Sequence, residues 1–167
     1  MRRPRPTLAA VLVMLAAILI QTTVFARFRA FPPDLVMLTS ALLAMTSIRH
    51  EAAIVVAFGG GLVIDLMGSS LLGLRAMAMA AVAFTAVRTR ERADIGRIGV
   101  AIWVGLLTLL GIVLLLLVGT LFDQRSLLGD RVLSRIAFIP LANTVLSMLI
   151  APFVVRVISR GSSYTFA

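Results

Sequence analysis

Six apolar runs, each separated from the next by charge, glycine or proline, organise the chain: 8–26, 35–48, 52–67, 72–87, 98–122 and 132–155. About 20 apolar residues cross the hydrocarbon core of a bilayer as a helix, the one open-ended structure that satisfies its own backbone polar groups there. The first run meets that length without a charge, and the leucine-rich fifth run and the sixth are also long enough. The second and third runs are shorter. The 14 residues of 35–48 cover only about 21 Å as a helix. This pair therefore thins the membrane, borrows length from snorkelling flanks such as Arg49, or enters without crossing.

Local punctuation supports these boundaries. Pro32 and Pro33 open the second run, with Asp34 in its first turn, where an acid suits the positive end of the helix dipole. Gly68, Ser69 and Ser70 break the pattern between runs three and four. Ala76, Ala80 and Ala83 recur at helical spacing along the fourth run, giving it a small face against which another helix can pack closely. Pro140 and Asn143 fall in the first half of the sixth run; the proline kinks a helix, and the asparagine can hydrogen-bond to a neighbour. A secretory signal peptide is the competing reading of the first run, but its apolar core exceeds the 7–15 residues usual for one and further spans follow.

Composition agrees with the pattern. The 167 residues are 60% hydrophobic with a mean hydropathy of +1.08, more apolar surface than a water-soluble core of this size can hide. The predicted fold is an all-α integral membrane protein, a single transmembrane domain over 1–167 with about six helices in a bundle. There are no cysteines, so neither disulfides nor thiol chemistry enter. All 16 basic residues are arginine, and the net charge is +9. The arginines are scattered between apolar runs, so the charge does not point to nucleic acid. It serves instead as a topology ruler. With the N-terminus in the cytoplasm and six crossings, ten arginines fall inside (2, 3, 5, 49, 88, 90, 92, 97, 156 and 160) and six outside (27, 29, 75, 125, 131 and 135), which favours both termini in the cytoplasm.

Candidate chemistry concentrates in Gly59 to Arg75, GGGLVIDLMGSSLLGLR. Gly59, Gly60 and Gly61 sit in a helical run, where each costs about 0.5–1 kcal/mol against alanine unless another backbone comes close. Asp65 is an ionisable group in an apolar run, two residues before its end, and a carboxylate at a helix C-terminus needs a cation or donors nearby. Arg75, ten residues on, is the expected partner, in an ion pair that fixes a helical hairpin. Enzymatic roles find little support. His50, the single histidine, lies in a charged turn between Arg49 and Glu51 without metal-ligand spacing, and Ser69 and Ser70 have no base beside them. The glycine cluster lies mid-run without the lysine of a phosphate loop. No cofactor is expected.

The order of Pro33 and Asp34, the Arg49 and His50 turn, the series Gly61, Asp65, Gly68, Ser69, Gly73, Leu74 and Arg75, and the alanine-rich run after it resembles the MreD family, the rod shape-determining membrane proteins of bacteria. The resemblance is most specific from Pro32 to about Arg88. It implies a non-catalytic inner-membrane subunit of the cell-elongation machinery, working with MreC, MreB, RodA and a penicillin-binding transpeptidase. It also implies a fold similar to the substrate-binding subunits of energy-coupling-factor vitamin transporters, and hence an alternative role as a small-molecule uptake subunit. Against that alternative, the frame of small residues at Ala9, Val13 and Ala17 is interrupted, and the first outer connector, Arg27 to Pro33, is short. The residues expected to carry packing or partner binding are Pro33, Gly59, Gly60, Gly61, Asp65, Gly68, Gly73, Arg75, Ala76, Ala80, Pro140 and Asn143.

Overall fold

A computed structural model describes residues 6–25, 33–46, 49–68, 71–89, 96–123 and 132–159. Within them, all regular structure is helical: α1 Pro6–Thr23, α2 Leu35–Ala44, α3 His50–Met67, α4 Leu74–Thr89, α5 Gly96–Leu121 and α6 Val132–Ser159. Each of the six apolar runs holds one helix. Four of these, α1, α3, α5 and α6, are long and apolar enough to cross a membrane. The chain is thus an all-helical, multi-pass membrane protein.

The second run, for which the sequence leaves membrane thinning, borrowed length or entry without crossing open, holds the shortest of the six helices, α2. Its 10 residues reach only about 15 Å, and the helix ends at Ala44, short of the predicted Ile48. The local cause is Thr46, whose backbone N–H and hydroxyl both donate to Leu43 O, at 3.1 and 2.6 Å, while the Met45 N–H is shared between Ala41 O and Leu42 O. These tightened bonds satisfy the last carbonyls and leave no ladder to extend. Residues 47 and 48 lie outside the described set.

Short as it is, α2 is the centre of the bundle. All ten of its residues are buried, and it packs against each of the other five helices. A helix buried on every side gives no face to lipid or water. Val36, Met37, Leu38 and Leu43 fill the middle of the core, with Met14 and Ile18 of α1, Ala53 and Ala57 of α3, Met79 and Val82 of α4, Val104 and Leu107 of α5, and Val154 and Ile158 of α6 around them.

The glycine cluster works residue by residue. A Cβ on Gly61 would lie 2.6 Å from Ala76 Cα and 2.7 Å from its nitrogen, so α3 and α4 touch backbone to backbone there. Gly60 makes room for the Met14 side chain of α1, whose sulfur would stand 2.7 Å from an added Cβ. Gly59 differs from the expectation, because among the described residues nothing lies within 4 Å of its Cβ position. On α4, Ala76 and Ala83 are fully buried while Ala80 is half-buried, so the small face is real but rotated slightly from the predicted stripe. Pro140 is buried inside a continuous α6, and the Thr144 hydroxyl donates to its carbonyl at 2.8 Å.

Alanine at two adjacent positions separates these roles. Gly61→Ala should lower stability in detergent by about 1–3 kcal/mol, because backbone atoms must move. Gly59→Ala should be neutral or stabilising by up to about 1 kcal/mol, the helix-propensity difference. Thermal unfolding followed by circular dichroism measures both; equal losses would contradict the assigned packing.

Candidate functional site

A helix that begins inside a membrane protein exposes N–H groups with no intrahelical acceptor, and little water is available to take them. The site is the solution to that problem for α2 and α4. At α4 the residue preceding the helix is Gly73, which has φ of +93° and no side chain with which to cap. The cap comes instead from α3. Asp65, 2% exposed, accepts hydrogen bonds from the backbone N–H of Gly73 at 2.9 Å, of Arg75 at 3.0 Å and of Ala76 at 3.2 Å. Leu74 N–H donates to Leu71 O at 3.2 Å, and Met77 N–H to Gly73 O at 2.9 Å begins the helical ladder. Every donor of the first turn is therefore placed.

This corrects the expected ion pair. The hairpin is fixed by Asp65, but through the backbone of Arg75 and not through its guanidinium. Three N–H groups at a helix start present a partial positive charge, which answers the demand of a carboxylate at the α3 C-terminus. Gly68 closes α3 with its N–H shared between Ile64 O and Asp65 O, in extended backbone that any residue can adopt. Ser69 and Ser70 lie outside the described residues.

The Arg75 guanidinium reaches the head of α2, where Nη1 stands 3.4 Å from Asp34 Oδ2. Asp34 is the N-cap of α2, one position earlier than the sequence suggests, with Oδ1 accepting from Met37 N–H at 3.0 Å. The Leu35 N–H, which Asp34 cannot reach, donates to Gln21 Oε1 of α1 at 2.8 Å. On the other side, Asn143 Nδ2 of α6 donates to Asp34 O at 3.1 Å and to Thr108 Oγ1 of α5 at 3.2 Å. Pro33, half-buried, leads the chain into this cap.

Six side chains, one from each helix, thus make a polar node: Gln21, Asp34, Asp65, Arg75, Thr108 and Asn143. Thr108 stands midway along α5, and Asn143 near the middle of α6, so α2 starts deep in the bundle. Both carboxylates are well shielded, Asp65 at 2% exposed and the Asp34 side chain at 13%. Sequence reasoning missed Gln21 and Thr108. Gln21 did carry a signal, as an amide interrupting an otherwise apolar run; Thr108 is one hydroxyl among many and carried none.

Chemically, the node is built of acceptors and donors already committed to one another. Among the described residues, one buried side-chain atom lacks a partner, Asn143 Oδ1. No group of three His, Cys, Asp or Glu residues able to hold a metal occurs among them. His50 is exposed at the start of α3, beside the exposed Arg49–Glu51 pair at 3.2 Å.

The family model described as rod shape-determining protein MreD matches residues 1–159. The chain belongs to the MreD family. No curated protein and no solved structure matches it. For an MreD chain the coarse role is rod-shape determination, and the family is one of shape-determining membrane proteins, not of known enzymes. The match takes in all six helices and the whole polar node, beyond the 32–88 stretch that carries the sequence resemblance most specifically.

Removing one charge of the Asp34–Arg75 pair should cost about 1–3 kcal/mol, between exposed-pair and buried-pair values because Arg75 is partly exposed. Asp34→Asn keeps a capping oxygen and Arg75→Gln keeps a donor, so both variants should fold. The double variant should lose less than the sum of the singles. Denaturant or thermal unfolding of all four proteins reads the coupling; strict additivity would contradict the pair.

Proposed function

We propose that this chain is a non-catalytic scaffold of the bacterial cell-elongation complex, held in the cytoplasmic membrane with both termini inside. On this reading it binds MreC and helps couple MreB to peptidoglycan synthesis by RodA and its penicillin-binding transpeptidase. Family membership supports the setting. The observation that carries the scaffold reading is the polar node, in which the carboxylates of Asp34 and Asp65 and the guanidinium of Arg75 serve to hold helices together. Residues engaged in this way position surfaces; they do not supply a nucleophile or a general base. The outward faces of α1, α3 and α6 remain for partner helices and lipid, with no nucleic acid involved.

The charge distribution supports the orientation. Arg49, Arg88, Arg97 and Arg156 mark the end where α3 and α5 start and α4 and α6 finish, with Glu51 as the acid among the described residues there. An excess of arginine is the mark of the cytoplasmic side.

Mild-detergent capture of the tagged chain should recover MreC, and a strain carrying the chain as its only MreD should stay rod-shaped. Asp65→Ala removes the cap of α4 and leaves three donors without their acceptor, a loss of about 1–3 kcal/mol. It should reduce MreC recovery several-fold and round the cells. Capture of a folded wild-type chain without MreC would contradict the scaffold reading, as would a stoichiometric small molecule found by native mass spectrometry.

A further inference from the structure

We propose that the arginine-bearing end of the α4–α5 pair is a binding site for anionic phospholipid. At the close of α4, the Arg88 guanidinium carbon stands 5.7 Å from the centroid of the Phe84 ring. Both side chains are exposed, Phe84 by 52%. A guanidinium seated over an aromatic face is partly ordered before any ligand arrives, yet keeps its N–H edge for a phosphate.

Beside it, Trp103 Nε1 of α5 donates to Thr89 Oγ1 of α4 at 3.0 Å, and Thr89 in turn donates to Thr85 O at 2.6 Å. An indole with its ring in apolar surroundings and its N–H on a polar helix end is the arrangement that sits at headgroup level. The bond also fixes the relative height of the two helices. Trp103 is seven residues into α5, so the start of α5 extends past the last turn of α4. That projecting turn carries exposed Arg97 and Ile98, an arginine and an apolar side chain side by side.

The occupant follows from charge and depth. Arg88 and Arg97 have no acidic neighbour among the described residues of α4 and α5 at this end, and Glu51 is paired with Arg49. The connector between α4 and α5, outside the described residues, sets Arg90 and Arg92 against Glu91 and Asp94, so the arginines of 88–97 outnumber the acids four to two. Phe84, one turn inward of Arg88, is apolar and exposed, which suits an acyl chain and does not suit a soluble acidic protein. A lipid with a net negative headgroup matches both halves, whereas a zwitterionic lipid brings its own cation to meet the arginines. The site does not depend on the scaffold reading.

Trp103 is the only tryptophan in the chain, so the site reports on itself. The full chain is reconstituted in vesicles of phosphatidylcholine and phosphatidylglycerol in which either one or the other lipid carries brominated acyl chains, and quenching of Trp103 is compared at equal mole fraction. Brominated phosphatidylglycerol should associate about fivefold more strongly than brominated phosphatidylcholine, with the preference shrinking as salt rises. Arg88→Gln should bring the ratio close to one, while Arg49→Gln, outside the site, should leave it unchanged. Both positions are exposed, and circular dichroism confirms that the variants fold. Equal quenching by the two lipids in the unaltered chain would overturn the site. So would a preference that survives Arg88→Gln, or one lost equally in Arg49→Gln, which would signify diffuse attraction.

Discussion

A backbone N–H left without an acceptor inside a membrane is the constraint on which this bundle turns. Two of its helices start where water cannot serve them, and each takes at least one acceptor from another helix. Asp65 of α3 closes the first turn of α4, and Gln21 of α1 assists Asp34 at the first turn of α2. Because each helix start draws an acceptor from another helix, capping and tertiary packing are coupled. Helix α4 cannot start correctly until α3 is beside it, and that approach is possible because Gly61 lets the two backbones meet at Ala76.

The Asp34–Arg75 pair extends the same logic. A carboxylate deep in a bundle is expensive unless its charge is answered, and Asp34 is answered by a backbone donor of its own helix and a guanidinium from α4. Its carbonyl holds Asn143, which holds Thr108. The result ties the buried, short α2 to the two longest helices. Such a helix gains nothing from facing lipid, so its position depends on these contacts and on the core around it. A partner that shifted any surrounding helix would be felt at this node, which gives a scaffold a physical means of linking one face to another.

Much of this was legible in the sequence. The six apolar runs each contain one helix, because hydropathy and length reflect the bilayer directly. The importance of Asp65 was legible too, since an ionisable side chain in an apolar run demands a partner. Its partner was not. Arg75 stands at the right separation for an ion pair, and nothing in a one-dimensional pattern distinguishes its guanidinium from its N–H. The signal lay in Gly73, whose lack of a side chain at the head of a helix implies a cap from outside. The end of α2 at Ala44 was hidden because Thr46 is unremarkable in sequence and acts through local bonds to Leu43 O. The glycines 59 to 61 read as a single packing motif, yet they face three directions, and among the described residues nothing lies near the Cβ position of Gly59.

Amide hydrogen exchange at the start of α4 tests the central claim most directly. First-turn N–H groups of an ordinary helix exchange quickly, since nothing within the helix holds them. With Asp65 as their acceptor, the amides of Gly73, Arg75 and Ala76 should be protected to a degree approaching the middle of α4, and Asp65→Ala should release those three first. Fast exchange at all three in the unaltered chain would contradict the account.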